Sequence, residues 1–112
     1  MKAEDFFIGP AEMREEIVEE NVRRRIYTAE KIQVVEYLFP PGKTFPPHKH
    51  DVEEQMGYLV SGRMGFRIGG IEKDLLPGDW YLAPVGVEHN AWTYEEESVL
   101  LDIFATPRDD LK

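Results

Sequence analysis

Three histidines are present in this chain, and all of them fall inside two short, separated stretches. The first runs Gly42-Lys43-Thr44-Phe45-Pro46-Pro47-His48-Lys49-His50-Asp51-Val52-Glu53-Glu54-Gln55, with Gly62 beyond it. The second runs Gly78-Asp79-Trp80-Tyr81-Leu82-Ala83-Pro84-Val85-Gly86-Val87-Glu88-His89. A neutral imidazole is the commonest metal ligand, because its ring nitrogen offers a lone pair near neutral pH. Two histidines two residues apart share a face of a strand, and a third from a distant strand closes a site. The spacing therefore predicts one mononuclear metal centre, with the fourth protein ligand open among Glu53, Glu54 and Gln55.

A second chemical signal is Asp102, set in the apolar run Val99-Leu100-Leu101-Asp102-Ile103-Phe104. Burying a carboxylate without a partner costs several kcal/mol, so such a residue is paired or functional. Facing a metal cavity it would be a candidate general acid/base. The alternative is an ion pair with Arg24, Arg25 or Arg108. Arg108 lies past the run in Thr106-Pro107-Arg108-Asp109-Asp110, and from spacing alone it reads as a solvated tail arginine.

The elements that must position these groups read as β-structure. Val22, Arg24 and Ile26 alternate with Arg23, Arg25 and Tyr27, and period two means strand. Residues 32–39, 55–61, 63–68, 80–83 and 98–105 read as further strands. Gly69-Gly70 between Ile68 and Ile71 predicts a hairpin turn, since both positions tolerate positive φ. Pro40-Pro41-Gly42 ends one strand, and Pro46-Pro47 stiffens the approach to His48. Residues 11–20, AEMREEIVEE, read either as a short N-terminal helix or as an irregular lead-in, with a break at Asn21. Many short strands with regular turns indicate an all-β sandwich or barrel.

The two histidine stretches resemble the paired motifs of the cupin superfamily. They read G-x5-H-x-H-x4-Q-x6-G from Gly42 to Gly62 and G-x5-P-x-G-x2-H from Gly78 to His89, with 15 residues between them. The resemblance implies a cupin-type double-stranded β-helix, or jelly-roll barrel, with a barrel core over about residues 22–105 of a single 1–112 domain. It implies one divalent transition metal ion, among Zn, Ni, Mn and Fe, held by His48, His50, His89 and a fourth ligand. Stepping seven residues back from Gly62 reaches Gln55 where cupins usually have glutamate, with Glu54 as the reserve. On that register Gln55, Gly57 and Leu59 face inward, while Met56, Tyr58 and Val60 face out. An outward apolar face of this kind predicts a subunit interface, hence a homodimer. A further departure from the cupin pattern is Thr93, where an asparagine is usual.

The ending Ser98-Val99-Leu100-Leu101-Asp102-Ile103-Phe104-Ala105-Thr106-Pro107-Arg108-Asp109 is similar to that of small pectin-degradation cupins, which open 4,5-unsaturated uronates to linear keto acids. That narrower resemblance implies acid/base and substrate roles for Asp102 and Arg108, with Phe104 lining the pocket. Trp92 and Arg24 are added as candidate substrate contacts. Phe45, Tyr58, Phe66, Trp80 and Tyr81 are further aromatics that could wall a pocket, with core or interface the expected place for each. An iron dioxygenase and a non-catalytic metal or small-ligand binding protein are the competing readings.

The bulk numbers bound the rest. The net charge of −9 argues against nucleic acid, which needs a basic footprint, and reads as solubility. An anionic substrate would need local arginines to overcome that field. There is no cysteine, which excludes disulfides and thiolate ligands and fits a cytoplasmic protein. No apolar run suggests a secretory signal or a membrane span.

Overall fold

A computed structural model describes the backbone of residues 1–112 and every side chain except that of Glu4. Among the described residues ten strands form two antiparallel sheets. The strands are β1 (Arg14–Val18), β2 (Val22–Thr28), β3 (Gln33–Phe39), β4 (Thr44–His48), β5 (Glu54–Ser61), β6 (Met64–Ile68), β7 (Ile71–Leu75), β8 (Trp80–Ala83), β9 (His89–Thr93) and β10 (Ser98–Ala105). One sheet has the order β1-β2-β3-β10-β5-β8 and the other β4-β9-β6-β7. The core lies between them. Val22, Phe39, Leu59 and Leu100 of the larger sheet pack with Met64, Phe66 and Leu75 of the smaller one. No described helix is long and apolar enough to cross a membrane.

Alternation decides which side chains reach the interior. Along β5 Gln55, Gly57 and Leu59 are buried while Met56 and Val60 are exposed. Along β10 Ser98, Leu100, Asp102 and Phe104 are buried, each separated by a half-buried residue. Gly69 and Gly70 take φ of 57° and 82° and close the β6–β7 hairpin, a conformation that side chains with a Cβ resist.

The N-terminal stretch is neither a helix nor an irregular lead-in over its length. Arg14–Val18 is a strand, preceded by a single 3-10 turn at Pro10–Glu12. The reason is cross-strand charge pairing. Glu15 lies opposite Arg25 and Glu16 opposite Arg24, and both pairs make ion contacts. Glutamates read as helix formers here meet the arginines of β2, a pairing that favours the sheet. Glu19 and Asn21 turn the chain with positive φ.

The second correction concerns the H-x-H segment. His48 is the last residue of β4, but His50 lies beyond it in a loop, so the two do not share a strand face. Gly86 N–H donates to the His50 carbonyl at 2.8 Å and ties that loop to the β8–β9 connection. β4 is an edge strand and carries Pro46 and Pro47 across a register shift between Phe45 and His48. An edge is where prolines without ladder donors are tolerated.

Candidate metal centre

The end of β4, the loop after it and the start of β9 bring His48, His50 and His89 together. One nitrogen from each lies within 4.8 Å of the others. His48 and His89 are cross-strand partners, with ring centroids 4.2 Å apart. The outer ring nitrogens are already engaged. His48 Nδ1 lies 3.1 Å from the Pro46 carbonyl and His89 Nδ1 3.2 Å from that of Val87. A donated Nδ1–H leaves each Nε2 as a lone pair, the tautomer that suits a metal ligand. Burial holds the His89 imidazole down at about 4. His50 is lowered too, by burial first and then by Arg108 and His48.

The fit to a metal is tested by what is left unpartnered. Among the described residues the buried side-chain atoms without a hydrogen bond are His50 Nε2, His89 Nε2 and Gln55 Oε1. Buried polar atoms are rarely orphaned, and an absent ion is one of the recognised reasons. Two imidazole nitrogens and an amide oxygen are also a donor set a divalent transition metal accepts. The alternatives to Gln55 are placed differently. Glu54 is exposed on the opposite face of β5, and Glu53 sits 3.7 Å from His50 Nδ1, behind the cluster.

The cluster opens into a cavity of about 170 Å³ between the sheets, lined in part by His48, Gln55, His89, Asp102, Phe104, Arg24 and Arg108. Asp102 is buried and reaches no arginine. Its carboxylate accepts from the Tyr81 hydroxyl and, at 3.4 Å, from Gln55 Nε2. Burial pushes its pKa up to about 7, against the lowering effects of Tyr81, Arg108 and Gln55. Phe104 stands edge-on to His50 at 5.8 Å, with the Arg108 guanidinium 5.0 Å over its ring.

Arg108 is not a loose tail residue. The buried Gln33 amide clamps its backbone, accepting from Arg108 N–H at 3.1 Å and donating to the Arg108 carbonyl at 3.3 Å. Its guanidinium pairs with Asp110. Arg24 faces the cavity from β2 while donating to Glu16 at 2.6 Å. Trp92 does not line the cavity. It alternates outward on β9, packs over Gly65 and donates to the Tyr94 hydroxyl at 3.1 Å. The aromatics divide similarly, with Phe45, Phe66 and Tyr81 lining the cavity while Tyr58 packs on exposed Trp80.

Sequence reasoning missed Tyr37, Asn90 and the polar role of Tyr81. The signal for Tyr81 was Gly57, since an isolated glycine within a strand often marks a close approach.

Residues 35–104 match the profile of the cupin domain family. The chain belongs to the cupin family. This cupin is 34% identical over 92 residues to the pectin degradation protein KdgF of Dickeya dadantii, covering 81% of the chain and 84% of that protein. KdgF from a Halomonas species superposes with a TM-score of 0.85 at 32% identity, over 96% of this chain and 97% of the other. An RmlC-like cupin from Shewanella frigidimarina gives the same TM-score at 24% identity, covering 96% of each chain, and speaks to the fold alone.

Proposed function

We propose that this cupin is a metal-dependent sugar-acid enzyme that opens or isomerises 4,5-unsaturated uronates. The observation that carries the reading is Asp102, a buried carboxyl with its pKa near neutrality, lining the same cavity as the histidine cluster. The likeness to KdgF proteins, one of them named for pectin degradation, supports a sugar-acid substrate. His48, His50, His89 and Gln55 would hold one divalent metal, among Zn, Ni, Mn and Fe. Bound there by four neutral side chains, it would polarise a substrate oxygen as a Lewis acid.

The chain's own residues supply the rest. Ring opening of such a uronate is an isomerisation. The anomeric hydroxyl loses a proton, the C1–ring-oxygen bond breaks, and C4 gains a proton as C5 becomes a ketone. One carboxyl group that ionises near neutral pH can take a proton and return it, which is the part assigned to Asp102. Arg108 and Arg24 offer guanidinium groups to the substrate carboxylate in an otherwise acidic protein. Phe104 walls the pocket beside His50 and keeps it apolar.

The test is anaerobic turnover of a 4,5-unsaturated uronate by metal-loaded protein, followed by NMR. Conversion is expected with wild type, and a loss of about 10²-fold or more with Asp102→Asn. No conversion with any of the four metals would remove this substrate class, and oxygen uptake by the iron form would favour a dioxygenase. The same reading pairs two copies through the outer face of the larger sheet.

A further inference from the structure

Gln55 stands where the cupin pattern has a carboxylate, and an amide has a problem a carboxylate lacks. Its two ends differ, and only the oxygen can face a cation. Something must fix which way it points. In the larger sheet Asp102 lies opposite Gly57 on one side, and Gly57 lies opposite Tyr81 on the other. Asp102 and Tyr81 are therefore two strands apart with a glycine between them. A Cβ on Gly57 would fall 1.9 Å from Tyr81 Cε2 and 2.6 Å from Asp102 Oδ1. The missing side chain is the space in which the Tyr81 hydroxyl meets the Asp102 carboxylate. Gln55 is the next inward residue along β5, and its Nε2 donates to the same hydroxyl oxygen at 2.7 Å.

The polarity of this chain follows from donor counting. When Asp102 is ionised its carboxylate only accepts, so Tyr81 spends its single proton on Asp102. The tyrosine oxygen is then an acceptor toward Gln55, which must present its NH2 end. Its Oε1 is thereby turned away from Tyr81 and left without a protein partner. We infer that Tyr81 is a positioning residue whose hydroxyl, anchored on Asp102 across Gly57, orients the Gln55 amide so that its oxygen faces the metal centre. A glutamate at position 55 would set two carboxylates against one hydroxyl proton, which accounts for glutamine here. The inference rests on the metal reading above and deepens it, since it gives Asp102 a structural duty separate from proton transfer.

The experiment is Co(II) titration of metal-stripped wild type, Tyr81→Phe, Asp102→Asn and Tyr58→Phe, read by the visible absorption of the bound ion and by calorimetry. Thermal melts run alongside report folding. Tyr81→Phe is expected to fold, to bind cobalt at least about tenfold more weakly, and to shift the visible band, as losses of groups that orient ligands do. Asp102→Asn keeps an acceptor oxygen for Tyr81, so its cobalt affinity stays within about threefold of wild type even as turnover is lost. Tyr58→Phe removes a hydroxyl from the outer face of the same strand and leaves both readouts unchanged. Should Tyr81→Phe not fold, Asp102→Leu replaces it, because it removes the acceptor and is expected to weaken cobalt binding in the same way. Cobalt affinity and spectrum unaltered in the folded Tyr81→Phe or Asp102→Leu protein would overturn the positioning role alone. A wild type that takes up no cobalt would overturn the reading of the site itself.

Discussion

His89 answers two demands that pull the same way. Burial lowers its pKa to about 4, which keeps its Nε2 lone pair free for a metal over a wide pH range. The same shift makes the metal-free fold sensitive to acid. A pKa below the ordinary imidazole value of 6.5 means that the folded state binds fewer protons. Its stabilisation is full above 6.5 and is lost as the pH falls toward about 4, and His50 shifts in the same direction. Asp102 has the opposite sign. Raised from 3.8 to about 7, its contribution is full below 3.8 and is lost as the pH rises through 7. In chelator-treated wild type the two slopes therefore oppose each other across one window. Metal-free Asp102→Asn keeps only the histidine slope, so its melting temperature is expected to fall more steeply from pH 6.5 to 4 than that of wild type. Scanning calorimetry on both proteins checks this, and equal slopes would show that Asp102 is not neutralised by its surroundings. The residue types were legible in advance, because three histidines in fixed spacing and one acid in an apolar run are local signals. Tyr81 was not, because what it does depends on a register between β5, β8 and β10 that no local window contains.

The strands positioning these side chains were readable where period two was clean. Burial alternates along β5, β8 and β10. β1 was misread because acidic residues look helical until their arginine partners on β2 are known. β4 and β9 were expected only as strands carrying histidines and were given no bounds, since proline disguises one and the other begins at a ligand. Gly57 is where element geometry and site chemistry coincide. Gly57→Ala keeps a strand conformation available, yet its methyl group would enter the space shared by Tyr81 and Asp102. Overpacking of this kind costs roughly 1–3 kcal/mol. The variant is expected to lose about that much in urea unfolding and also to bind cobalt more weakly than wild type, because the Tyr81–Asp102 contact is forced apart. A Leu59→Ala substitution, two residues on along the same inward face, removes core volume at a cost of about 2–5 kcal/mol. Its cobalt affinity is expected to hold while the protein remains folded. Loss of affinity in both variants alike would mean that the centre reports general stability and not the local contact.

On the scale of the whole molecule the unexplained feature is the outer face of the larger sheet. Val34, Ile103, Met56 and Leu82 form one cross-strand row, and Leu101, Tyr58 and Trp80 form the next. Met56, Trp80 and Leu82 are 40%, 54% and 46% exposed, and beyond Leu101 the second row continues into charge at Glu36 and Arg25. A contiguous apolar patch with a polar margin is the anatomy of a protein interface. A second copy of this chain is the economical occupant, because a two-fold axis sets the same patch against itself without needing any other surface. These rows point away from the cavity, so association and the metal centre are separable by mutation. The double variant Met56→Glu, Leu82→Glu places charges on two adjacent strands at the middle of the face. Sedimentation equilibrium is expected to give a dimer for wild type and a monomer for the variant, with cobalt affinity retained in both. A monomeric wild type at micromolar concentration would refute the pairing. A monomeric variant that also loses cobalt would show instead that the histidine cluster, despite facing the opposite side of the sheet, depends on the partner copy for its shape.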